Sequence, residues 1–280
     1  VRVRRPAVAG QFYSSNSTHL TSEIREAFLG AQGPGRLPPG EFEGDIIATV
    51  NPHAGYVYSG GFASNSFYAL SSKKGADIAV VLGPNHYGLG SGVAAPESEA
   101  WETPLGKVEI DVPAARRLLT DSHLVDLDDA AHRREHSIEV QVPFLQFTFG
   151  AGFKLLPISM ALQDMSTAIE VGDQVGRLLR DRNYVLIASS DFTHYEPASE
   201  AKEKDEEALA RILDFDVAGL YHVIEKRDLT MCGYGPIAAV MTAAKQLGAV
   251  KARLLRYGSS GDVTNDFSSV VGYASVAFYK

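Results

Sequence analysis

Ile46-Ile47-Ala48-Thr49-Val50-Asn51-Pro52-His53-Ala54-Gly55-Tyr56 joins a short β-branched, apolar run to a polar turn that carries a histidine. A run of this length without polar alternation reads as a strand buried on both faces, the habit of parallel sheets. The same design recurs twice. Ile78-Ala79-Val80-Val81-Leu82 runs into Gly83-Pro84-Asn85-His86, and the stretch from Tyr184 to Ser190 runs into Asp191-Phe192-Thr193-His194. Three buried strands therefore deliver a histidine at the same end. In open α/β sheets ligands bind outside the carboxyl ends of the strands, so the three loops are expected to face one crevice.

Working outward, Phe153 to Met160 and Ala252 to Tyr257 add two more strand candidates. Helical patterns lie near 18–29, 61–71, 112–120, 137–147, 166–181, 199–213, 216–226 and 236–247. This alternation predicts βαβ units and an α/β fold with a largely parallel central sheet flanked by helices, as a single domain over 1–280. Ser268 to Tyr279 has strand character and is expected to close an edge of the sheet. Trp101 to Glu109 reads as a hairpin around a Pro/Gly turn. Gly30 to Gly44, with five glycines and three prolines, joins an N-terminal helix to the first central strand.

The 280 residues are 45% apolar and 21% charged, which excludes a disordered chain. A net charge of −8 disfavours nucleic acid and anionic membrane as partners. No apolar run approaches the roughly 20 residues that span a bilayer, and the arginine-rich start has no apolar signal region, so the expected location is cytoplasmic. Cys232 is the only cysteine, which leaves no intramolecular disulfide.

The candidate chemistry follows from where the polar residues fall. Two or three imidazoles with one thiolate suit a transition metal rather than Mg or Ca. Cys232 lies just before the helix that opens at Pro236, where the helix dipole favours thiolate; it reads as a ligand, as a nucleophile, or as a buried inert thiol. Asp191 and His194, three residues apart, can share the pocket, Asp191 orienting an imidazole and His194 serving as general acid/base or extra ligand. His136, in Glu135-His136-Ser137-Ile138-Glu139, either points into the crevice or caps a helix. His19, His123, His132 and His222 read as surface or capping residues. A Gly-x-Ser-x-Gly nucleophile motif, a phosphate loop and a dinucleotide-binding fingerprint are missing, which weakens the serine hydrolase, NTPase and NAD-enzyme readings.

Together, Pro52-His53-Ala54-Gly55-Tyr56, Gly83-Pro84-Asn85-His86, Glu135-His136-Ser137-Ile138-Glu139, Ser189-Ser190-Asp191-Phe192-Thr193-His194 and Cys232-Gly233 resemble the Memo family, in the same order along almost the whole chain. The opening Arg5-Pro6-Ala7-Val8-Ala9-Gly10-Gln11-Phe12-Tyr13 resembles the start of its prokaryotic members. The resemblance implies a fold similar to class III extradiol dioxygenases, with His53, His86 and Cys232 as metal ligands and Asp191 and His194 as further pocket residues. Iron or copper is the implied cofactor, with zinc as an alternative. Eukaryotic members are linked to cell motility, phosphotyrosine-peptide binding and copper or iron binding, and prokaryotic ones to a gene neighbourhood shared with radical-SAM and AMMECR-type proteins, which implies a shared pathway. A thiolate in place of the dioxygenase carboxylate means that ring cleavage is not inherited with the fold. Three function classes stay open at this level: a metal-dependent oxidoreductase, a module binding a peptide or small ligand without chemistry, and a Cys-dependent hydrolase.

Overall fold

The computed structural model describes residues 2–280. In chain order the elements are β1 (Val3–Arg4), α1 (Ser17–Leu29), β2 (Ile46–Asn51), α2 (Gly61–Leu70), β3 (Ile78–Pro84), β4 (Val93–Ala95), β5 (Ala100–Thr103), β6 (Gly106–Glu109), α3 (Val112–Asp121), β7 (Asp126–Leu127), α4 (Gln141–Phe149) and β8 (Lys154–Met160). They continue with α5 (Met165–Leu179), β9 (Tyr184–Ser189), β10 (His194–Glu196), α6 (Ala198–Leu213), α7 (Val217–Arg227), α8 (Tyr234–Gln246), β11 (Lys251–Ser259), α9 (Gly261–Thr264) and β12 (Val270–Tyr279).

A mixed nine-stranded sheet forms the centre. Its middle strands β2, β9, β3 and β8 lie side by side in parallel. The apolar runs alternate between two cores, as the pleat requires. Val80, Leu82, Leu186 and Ala188 enter the layer built by α3, α5, α6, α7 and α8. Ala79, Val81, Val185 and Ile187 enter the layer of α1, α2 and α4. Local signals agree with this packing. Asn16 caps α1 by accepting from the backbone N–H of Thr18 and His19, and Leu20, Ile24 and Phe28 follow at the four-residue spacing of one buried face. Helices α5 and α8 meet closely because Gly172 has no Cβ; one there would lie 2.4 Å from the Ala239 carbonyl oxygen.

The flanks differ from the centre. β12 pairs antiparallel with β2 on one side and with β11 and β10 on the other, so Ser268 to Tyr279 contributes an inner strand rather than an edge. The long hairpin from β11 through α9 covers it, a long-range pairing that the strand's own composition does not report. β4 runs antiparallel to β8, and the expected Trp101–Glu109 hairpin is β5 and β6, which joins β1 in a separate three-stranded sheet. The helix expected from residue 137 begins at Gln141, because 137–140 form a turn against the end of β3, where the Ser137 hydroxyl donates to the Pro84 carbonyl at 3.1 Å. His132 is not at the surface: it is buried, with Nε2 3.1 Å from the Ala94 carbonyl and its ring edge-on to Trp101. Among the described residues no helix is long and apolar enough to cross a membrane.

Candidate metal centre

The strand register brings the loops together. Asn51 pairs with Ser189 and Leu82 with Ala188, so β2, β9 and β3 leave the sheet at one level. From there the chain reaches His53, Asp191 and His86 within a few residues. Cys232 arrives from the helical side, in the turn before α8. Gly233 lets that turn approach, since a Cβ there would lie 2.5 Å from the Ser189 carbonyl oxygen and 2.7 Å from Ser190 Cβ.

Cys232 Sγ lies 3.1 Å from His53 Nε2. The Asp191 backbone N–H donates to Sγ at 3.3 Å, and Asp191 Oδ1 accepts from the His53 backbone N–H at 2.8 Å. One donor atom each from His53, His86 and Cys232 falls within 4.8 Å of the others. His53 is buried and Asp191 nearly so, whereas 28% of the His86 side chain is open to solvent. The group thus has a dry wall and an open side.

His136 faces the crevice. Its ring stacks on His86 with centroids 4.5 Å apart, stands 5.4 Å from His53, and has Phe12 beside it. His194 is half-exposed, and its Nδ1 lies 2.8 Å from the Thr230 carbonyl. It lies outside the His53, His86 and Cys232 group and outside a second group of potential ligands, His86, Glu135 and His136, whose ligand atoms also fall within 4.8 Å of one another, though it is near enough for its charge to bear on Asp191 and His53.

Several supporting residues escaped the sequence reading. Ser189 Oγ sits 3.0 Å from His53 Nδ1, donates to the Ser137 carbonyl at 2.6 Å, and accepts from Gln141 Nε2 at 2.9 Å. Gln141 also donates to the Pro52 carbonyl at 3.0 Å. Glu135 touches His86 twice, through its backbone N–H and through Nδ1. The available signal was polar residues embedded in the apolar stretch that runs into α4; only their distant partners give them meaning.

Burial dominates the electrostatics. It holds the His53 imidazole well below its usual range, with the His86, His136 and His194 imidazoles acting in the same direction. It brings His136 down to about 4 against the pull of Glu135. Burial alone would raise Glu135, but the His86 hydrogen bond and the two adjacent imidazoles outweigh it and bring this carboxyl to about 2. Asp191 is pushed up to about 6 by burial. The Cys232 thiol is also driven upward, by burial and then by the Asp191 carboxylate beside it. Burial thus opposes the thiolate that the helix N-terminus was expected to favour.

Fold and pocket together define an α/β protein with a His/His/Cys group, able to hold a metal, at the carboxyl edge of its parallel strands. The chain belongs to the Memo family: the family model described as Memo-like protein matches residues 4–277. A MEMO1 family protein of Methanopyrus kandleri is 45% identical over 280 residues, covering 99% of each chain. Similar proteins occur in Nitrosopumilus maritimus, 45% identical over 276 residues and 99% of each chain, and in Pyrobaculum aerophilum, 44% identical over 282 residues and 100% of each. Among solved structures, an uncharacterized protein from Escherichia coli K12 shares the fold at a TM-score of 0.54 and 16% identity, over 83% of this chain and 99% of that one.

Proposed function

We propose that His53, His86 and Cys232 bind a redox-active transition metal, iron or copper, and that the crevice beside it takes a small-molecule or peptide ligand for redox or oxygenase-like chemistry. The observation that carries this reading is the convergence of two imidazoles and one thiol within 4.8 Å. The donor set fits such a metal: nitrogen and sulfur ligands select Fe, Cu or Zn over the hard, oxygen-seeking cations. His53 is kept neutral by its dry surroundings, so it offers a lone pair rather than a charge. Metal binding to the thiol displaces its proton, which makes affinity depend on pH.

His53, His86 and Cys232 would hold the metal, and iron or copper bound there would supply one-electron redox chemistry. This chain's own residues do the rest. The Asp191 carboxyl, at about 6, holds or releases a proton next to His53 and Cys232. His194, with Nδ1 against a carbonyl, keeps Nε2 for proton transfer at the open side. His136, neutral at neutral pH, lines the crevice against His86. A Cys-nucleophile reading would use His53 Nε2, 3.1 Å from Sγ, as its base, and the burial of both groups opposes the charge separation this transfer makes.

Elemental analysis of anaerobically purified protein beside Cys232→Ser tests the reading. Near-stoichiometric iron or copper in the wild type, lost in the variant, is expected. Metal-free folded protein, or metal retained in the variant, overturns it; zinc alone keeps the site and overturns the redox chemistry. The pathway partners that the resemblance implies, of radical-SAM and AMMECR type, are testable by co-purification from the native host.

A further inference from the structure

The two histidines of the pocket are held differently. Behind His53, Ser189 gives its only hydroxyl proton to the Ser137 carbonyl, so its oxygen accepts from His53 Nδ1. Behind His86 stands a carboxylate. Glu135 Oε2 accepts from the His86 backbone N–H at 2.7 Å, and Oε1 accepts from the backbone N–H groups of His136 at 3.0 Å and Ser137 at 2.9 Å. Both oxygens are thus taken up as acceptors of backbone donors; of the two ring nitrogens that face Oε1, His136 Nδ1 at 3.5 Å makes no hydrogen bond, and His86 Nδ1 at 2.9 Å meets an acceptor and must carry the proton.

We propose that Glu135 is a positioning residue: its carboxylate holds His86 as the Nδ1–H tautomer and turns the Nε2 lone pair into the pocket shared with His53 and Cys232. A carboxylate behind an imidazole fixes tautomer and ring orientation and raises the basicity of the opposite nitrogen. That matters most at His86, the most exposed member of the group, whose side chain is 28% open to solvent. By gripping the His86 backbone and the 136–137 backbone at once, Glu135 also locks two loops together, so the stacked His136 moves with His86. The effect on metal affinity rests on the function proposed above; the tautomer does not.

Two measurements test it and separate it from that reading. In metal-free protein labelled with 15N at histidine, two-bond 1H–15N correlations are expected to show His86 protonated at Nδ1; protonation at Nε2 overturns the proposal whether or not any metal binds. Titration with cobalt(II), followed through the thiolate-to-cobalt charge-transfer band, is then compared for wild type, Glu135→Gln, His86→Ala and the double variant. Glu135→Gln sets an amide N–H against at least one of the four donors whichever way it turns, and a 10–100-fold weaker cobalt affinity is expected. In the His86→Ala background the same substitution is expected to change affinity less than twofold, because its effect passes through His86. Equal losses in both backgrounds, or no loss in the first, overturn the positioning role. If wild type binds no cobalt, the metal reading fails and the nitrogen correlations alone decide the tautomer. If Glu135→Gln does not fold, the wild-type correlations still decide.

Discussion

Glu135 and Glu139 stand four residues apart in one segment, with side chains only 2% and 1% exposed, and their carboxylates serve different partners. Glu139 accepts from Arg4 Nη1 at 2.7 Å, from the backbone N–H groups of Ala7 and Val8, and from the Tyr13 hydroxyl at 2.7 Å. It clamps the N-terminal segment onto the fold, and the Arg4 guanidinium lies over Trp101 as well. Glu135 is equally satisfied but turns to the crevice, where its partner is an imidazole at a solvent-open rim. A buried carboxylate with a buried cation holds structure together; one facing a half-exposed histidine tunes that histidine. Residue type and burial are the same in the two cases, and only the partner separates them.

The sharpest way to break this division is Arg4→Ala, which strands Glu139 as an unpaired buried charge. A loss of about 3–5 kcal/mol in unfolding free energy is expected from urea denaturation. Arg4 also donates to the His132 and Glu135 backbone carbonyls, but its contact with Glu135 is not to the carboxylate, so metal content per folded molecule should stay at the wild-type level; a parallel loss of metal would dissolve the distinction between the two glutamates. Glu135→Gln should show the reverse pattern, with its largest effect on cobalt affinity.

A third buried carboxylate sharpens the comparison because among the described residues it forms no ion pair, and the charge that bears on it is that of the His194 imidazole. Asp205 accepts from the Thr193 backbone N–H and hydroxyl and from the Tyr257 hydroxyl, and burial pushes it up to about 6. Its folded value lies above its unfolded one, near 3.9, so the native state binds this proton more tightly. The stability it contributes is present below about pH 4 and is lost as pH rises toward 6, by up to about 3 kcal/mol. Asp205→Asn, which keeps an acceptor for Thr193, should flatten the decline in urea midpoint across that window. Asp191, also raised to about 6, should keep part of the slope. An unchanged pH profile would show that Asp205 titrates as it does in the unfolded chain.

The smallest effect concerns the outer lip of the same loop. Tyr195 has φ of 61°, sits at the register shift between His194 and Glu196 in β10, and is 78% exposed. A tyrosine in the left-handed region is strained, and its exposed ring contributes little packing. Tyr195→Asn, which tolerates that backbone, should raise stability by roughly 0.5–1 kcal/mol by thermal or urea denaturation. A loss instead would mean that the ring makes contacts worth more than the strain.

The fold was legible in the sequence to the extent that it is local. The buried runs at Ile46, Ile78 and Tyr184 and the loops that follow them identified the middle of the sheet and its carboxyl edge, because continuous apolarity and strand-to-loop order are properties of short stretches. The proposed ligands His53, His86 and Cys232 were in view for the same reason, each standing directly beyond a strand or before a helix. Other features depended on partners far along the chain. The inner place of β12 depends on β2, more than 200 residues earlier in sequence, and the burial of His132 depends on Ala94 and Trp101. The inward turn of His136, the grip of Glu135 on His86 and the desolvated thiol of Cys232 are likewise set by tertiary neighbours. Periodicity reports which face of an element is apolar, and so the sequence by itself determined the layers and the loops. Whether a polar side chain within those loops is a ligand, a support or a clamp is decided by the group it meets across the fold, and that only the tertiary structure supplied.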